Sequence, residues 1–124
     1  MAGSSASLHE NESVLKPETI DRHRAVVSIM EELEAIDWYD QRIDAATDQQ
    51  LKEVLAHNRD EEKEHAAMML EWLRRHDPKL GAHLRTYLFT KKPLLEIEEE
   101  AEGKDAGDES SSPDGSLRIG SLRK

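Results

Sequence analysis

The sequence contains no cysteine. That excludes disulfide staples, thiolate zinc sites, iron–sulfur clusters and cysteine nucleophiles. Aromatic residues are scarce, at 4% of 124 positions. Apolar runs reach only a few residues, so no segment is long enough to span a membrane. The first eight residues, Met1 to Leu8, lack the basic and apolar blocks of a signal peptide. Neither GxGxxG nor GxxxxGK[ST] occurs, so the common phosphate-cradling loops are absent. Net positive charge is lacking too: the formal charge is −10, which argues against a nucleic-acid surface. The expectation is a soluble cytoplasmic protein of one domain, with no nucleic-acid or membrane partner.

Charge divides the chain. Residues 1–95 balance at −5, residues 96–112 at −7, and residues 113–124 at +2. We read 1–13 as a flexible N-terminus, 14–95 as a helical body and 96–112 as an acidic linker. A small basic terminus with its own leucines follows at 113–124. The linker is too poor in apolar residues to offset ordering entropy, so disorder is expected there.

The body is all-α. Pro17 suits the first turn of a helix, with Glu18 and Asp21 near its positive dipole end. Neither glycine nor proline interrupts Glu18 to Ala46, and apolar residues recur along it at Ile20, Val26, Val27, Met30, Leu33, Ile36 and Ile43. Thr47 and Gln50 have capping-box spacing for a second helix, which Asp77-Pro78 ends. Pro78 opens a shorter third helix carrying Leu80, Leu84, Tyr87 and Leu88, stopped by Lys91-Lys92-Pro93. Each long helix spans about 40 Å. A hairpin of two such helices encloses no interior. We therefore expect a second copy to complete a four-helix bundle across a twofold axis.

The second helix carries its chemistry on its apolar stripe. At 100° per residue, Glu62 and His65 fall within the stripe of Leu51, Val54, Leu55, Met69, Trp72 and Leu73. Read alone, Glu61-Glu62-Lys63-Glu64-His65 is an ordinary charged helix surface. Placement on the stripe changes that, because an unpaired buried carboxylate costs several kcal/mol, and a cation is the simplest partner. Glu-x-x-His aims two ligands at one metal, while Glu61 and Glu64 point away. His57 lies off the stripe, as a surface residue. On the first helix Glu32 lies beside Ile29, Ile36 and Tyr39, so it is the carboxylate placed to meet Glu62 and His65. Glu31 and Glu34 form a separate acidic pair with Trp38.

Glu32 plus Glu62-x-x-His65 is half of a di-iron carboxylate site. Two copies supply four carboxylates and two imidazoles, enough for two metals per dimer, about 3.5–4 Å apart. Oxygen and imidazole ligands without thiolate suit iron or manganese. Tyr39 is placed to hydrogen-bond a ligand glutamate.

The stretch from about Val14 to Thr90 closely resembles the encapsulated ferritins, cargo proteins of encapsulin nanocompartments. The resemblance lies in RHRAVVSIMEELEAIDWYDQR, LAHNRDEEKEHAAMMLEWLRR and HLRTYLF. It implies a ferritin-like hairpin that dimerises, and a ring of five dimers. It implies ferroxidase activity: oxidation of Fe(II) with oxygen, feeding mineral storage inside the shell. By the same resemblance Glu32, Glu62 and His65 are the di-iron ligands, with Tyr39 adjacent. Glu31 and Glu34 are the outer iron-uptake site, with Trp38 beside them. Residues 114–124, DGSLRIGSLRK, look like the peptide that docks cargo on the inner shell wall, with Leu117, Ile119 and Leu122 as apolar anchors. The alternative is a metal-binding or scaffolding cargo hairpin with no catalysis of its own.

Overall fold

The computed structural model describes residues 6–108, with side chains through residue 103. The described residues form a short 3-10 turn at Glu12–Val14 and four α-helices, with no strand. The helices are α1 (Pro17–Ala45), α2 (Gln49–Arg75), α3 (Pro78–Tyr87) and α4 (Leu94–Asp108). None of the helices is long and apolar enough to cross a membrane. The expected segment 113–124 lies outside the described residues. The chain divides into two compact units, Met1–Leu73 and Arg74–Lys124, where the sequence suggested one domain.

The helix ends follow local chemistry. Pro17 occupies the first turn of α1, where its missing N–H costs nothing. The expected capping box at Thr47 is replaced by Asp48, whose Oδ2 accepts the Leu51 N–H at 2.8 Å. An aspartate at this position both satisfies an orphan donor and sets negative charge against the helix dipole. The expected flexible N-terminus is also corrected near its end. Asn11 Oδ1 accepts the Ser13 N–H at 3.0 Å and caps the turn at Glu12–Val14.

Within the first unit, α1 and α2 run antiparallel. Asp40 meets Arg59 near the connecting loop, Glu32 meets Glu62 and His65 midway, and Ala25 and Ser28 share a cavity lining with Met69 and Trp72 further on. The buried residue of α1 is Ala25, 2% exposed, on the helix row of Ile43 but not among the apolar residues named from the sequence. Val26, Met30 and Leu33 of α1, and Leu51, Val54 and Met68 of α2, are instead between 40% and 58% exposed. Each helix can turn only part of its apolar surface toward the other, so the rest of that surface stays in solvent.

Within the second unit, Asp77 Oδ1 caps α3 by accepting the Leu80 N–H at 3.0 Å, with Pro78 in the first turn. Gly81 permits a close approach: a Cβ there would lie 3.2 Å from the Arg74 carbonyl oxygen. The α3 helix closes at Leu88, and Phe89 follows with φ 63 and a fully exposed ring. Helix α4 packs against α3. It corrects the expected disorder for residues 96–108. Glutamate and alanine are strong helix formers, and Ile97, 8% exposed, anchors the helix. Lys92 Nζ pairs with Glu100 at 3.1 Å across the start of α4. Ile97 is the apolar residue of the acidic stretch that finds burial, while Leu94 and Leu95 at the helix start stay 62% and 76% exposed.

Candidate metal centre

Helix α1 supplies Glu32, and α2 supplies Glu62 and His65 from successive turns of one face. One ligand atom from each of the three lies within 4.8 Å of the other two. Oxygen and nitrogen ligands about 2.1 Å from a first-row cation stand up to about 4.2 Å apart, so small rotamer changes suffice to close the set. His65 Nδ1 lies 3.6 Å from Glu62 Oε1, too far for a good hydrogen bond and suitable for two ligands of one ion. Glu32 Oε1 is buried and has no hydrogen-bond partner. A buried acceptor left so is destabilising by about 1–3 kcal/mol, and a bound cation would satisfy it. The donor set therefore fits a metal: hard oxygens and one imidazole, as iron or manganese prefers.

The centre is open on one side. The Glu62 side chain is 28% exposed and that of His65 45%. Three ligands from one chain leave positions of an octahedral ion unfilled.

The other residues singled out in the sequence fall around this centre without joining it. Among the described residues, no hydrogen bond joins Tyr39 to Glu32 or Glu62. Its ring lies instead beside Arg42, whose guanidinium carbon is 5.6 Å from the ring centroid. Glu31 and Glu34 are exposed on α1, and neither joins a three-ligand cluster among the described residues. Trp38 is 47% exposed and also carries Arg42, at 6.0 Å. His57 is exposed and pairs with Glu61 at 3.3 Å, away from the centre.

Two residues escaped the sequence reading. Arg59 binds Asp40 at 3.0 Å and Asp60 at 3.1 Å. The hydrogen bonds it donates to Asp40, and then to Asp60, hold its guanidinium above the ordinary arginine pKa. Nothing local to Arg59 announces Asp40, which lies 19 residues away. Arg42 was legible in principle, since it follows Trp38 by four residues and Tyr39 by three.

Residues 7–91 match the family model described as EncFtn-like. The chain belongs to the EncFtn-like family. A curated relative from Rhodospirillum rubrum, named encapsulated ferritin-like protein, is 62% identical over 99% of this chain and 92% of its own length. A ferritin-like protein from Thermotoga maritima is 54% identical, over 77% of this chain and 83% of the relative. A Myxococcus xanthus relative, named encapsulin nanocompartment cargo protein EncC, is 35% identical over 79% of this chain and 81% of its own. Among solved structures, protein ne0167 from Nitrosomonas europaea superposes with a TM-score of 0.69 at 57% identity, covering 71% of this chain and 97% of that one. All three metal-centre residues lie within the segment that matches the EncFtn-like family.

Proposed function

We propose that this EncFtn-like chain is a ferroxidase. It oxidises Fe(II) to Fe(III) with dioxygen at a centre shared by two copies, and it works as cargo inside an encapsulin shell. The observation that carries the proposal is the buried Glu32 carboxylate oxygen, unpartnered and grouped with Glu62 and His65. Iron is the substrate. The carboxylates of Glu32 and Glu62 bind Fe(II) and favour the more highly charged Fe(III). The neutral His65 imidazole supplies a nitrogen ligand. Each Fe(II) gives one electron to dioxygen, so two ions held side by side deliver a pair. No protein nucleophile or general base takes part.

The exposure of Glu62 and His65, and of the apolar faces of α1 and α2, supports completion by a second copy. A dimer then holds two irons with Tyr39 steadying a ligand glutamate, and five dimers form a ring. Glu31 and Glu34, with Trp38, gather iron on the outer face of α1. The names of the R. rubrum and M. xanthus relatives support loading into an encapsulin shell; in this reading residues 113–124 dock the chain there, in the cytoplasm.

Stopped-flow absorbance after mixing Fe(II) with aerated protein tests the activity. Oxidation well above the protein-free rate is expected. A background rate would leave a metal-binding or scaffolding cargo. Deleting 113–124 should leave oxidation intact and abolish loading into a co-expressed encapsulin shell, and retained loading would assign docking to the helical body.

A further inference from the structure

We infer that Arg42 is a positioning residue that clamps Trp38 and Tyr39 together at the approach to the metal centre. The observation is one cation serving two rings. The Arg42 guanidinium carbon lies 6.0 Å from the Trp38 ring centroid and 5.6 Å from that of Tyr39. Both distances fall within the range over which a ring face attracts a cation.

Helix geometry explains why a single side chain can do this. Counted at 100° per residue from Trp38, Tyr39 lies at 100° and Arg42, one turn later, at 40°, between them. The two rings occupy two different faces of α1. Trp38 continues the row of Glu34, four residues earlier. Tyr39 continues the row of Glu32, seven residues earlier and 20° away. Arg42 therefore ties the face that carries the acidic pair to the face that carries the buried ligand. A planar guanidinium suits the task, because it stacks on aromatic faces and sheds water more readily than an ammonium does.

The clamp has two consequences for iron. Trp38 is 47% exposed, and without a partner its ring would sample several rotamers. Arg42 narrows that choice and couples it to Tyr39. The guanidinium also adds positive charge on the same helix, about 12 Å along the axis from Glu34, and opposes accumulation of Fe(II) there at low salt. Arg42 thus restrains iron arrival. This functional half rests on the ferroxidase reading; the ordering of the rings does not.

The experiment separates the two. The sequence has two tryptophans, so a Trp72→Phe background leaves Trp38 as the sole indole. In metal-free protein, acrylamide quenching and fluorescence anisotropy of Trp38 are compared for the background, Arg42→Gln and Arg42→Lys. Far-UV circular dichroism checks helicity. Arg42→Gln should raise the quenching constant roughly twofold and lower the anisotropy, because the ring loses its partner. Arg42→Lys should fall between, since it keeps the charge and loses the planar stack. In stopped-flow oxidation, Arg42→Gln should lower the half-saturating Fe(II) concentration roughly threefold at low salt, with the change falling on iron dependence and not on maximal rate. Parental quenching in Arg42→Gln overturns the clamp. Altered quenching with parental iron dependence overturns its role in iron arrival. If the parent itself oxidises no iron, the ferroxidase reading fails, and the metal-free fluorescence still decides whether Arg42 orders the rings.

Discussion

Arg59 and Asp40 tie the two long helices together: Arg59 Nη1 donates to Asp40 Oδ1 at 3.0 Å across 19 residues of sequence. The same guanidinium donates Nε to Asp60 at 3.1 Å, so α2 aims its own arginine across the hairpin. The Arg59 side chain is only 24% exposed, which limits competition from water. The bridge joins the two helices toward the loop end of the hairpin, beyond Glu32 on α1 and before Glu62 on α2.

Breaking that bridge should lower stability modestly. Arg59→Met keeps the packing of the stem and deletes the charge. Its melting temperature should fall below the parental value, and the gap should narrow in high salt as screening weakens the parental pair. Asp40→Asn should behave alike, and the double variant should lose less than the sum of the two. Additive losses would show that Arg59 and Asp40 act independently.

Substituting the ligands should separate activity from folding. In the proposed dimer, Glu32→Ala, Glu62→Ala and His65→Ala would each remove a ligand twice. Each should lower the Fe(II) oxidation rate at least tenfold while far-UV helicity persists, because alanine is the best helix former. Metal-free Glu32→Leu should unfold later than the parent, by about 1 kcal/mol, since an unpartnered buried oxygen is gone. Glu61→Ala is the matched control, because Glu61 pairs with His57 on the exposed side. A parental rate in any ligand variant would remove that residue from the site.

Assembly should respond to metal. In the proposed dimer, two copies of Glu32 and Glu62 would bring four carboxylates to one interface, where each pair at about 4 Å would repel by roughly 4 kcal/mol at an effective dielectric near 20. A bound cation cancels that repulsion and links the copies. Light scattering across a dilution series should show larger species with Fe(II) than with chelator. Identical mass distributions would count against a metal-bridged interface.

The acidic pair should govern arrival and spare turnover. Glu31 and Glu34 are exposed, outside the three-ligand group, on the same helix as Trp38. The double variant Glu31→Ala with Glu34→Ala should slow oxidation at low iron and flatten its salt dependence. At saturating iron the rate should match the parent. Unchanged kinetics at every iron concentration and ionic strength would reduce the pair to surface solvation.

Much of this molecule is written in short-range signals. Pro17, Pro78 and Asp77 mark helix starts because a missing N–H or a side-chain cap acts within one turn. Glu62 and His65 share a face because rotation per residue is a property of any α-helix. The same counting selects Glu32 over Glu31 and Glu34, and the structure groups Glu32 with Glu62 and His65. Tertiary structure decided what composition and periodicity do not encode. Ala25, a residue of little hydrophobic weight, is the buried residue of α1, because a close-packed position rewards small volume over apolarity. Ile97 turned an acidic stretch into α4 by finding a place to bury, a gain that no local window contains. Arg59 found Asp40 only once the hairpin had closed, because a charge pair 19 residues apart leaves no period to read. Local rules place side chains on faces; which faces meet depends on packing between segments distant in sequence, and that packing left Glu32 Oε1 buried and without a partner.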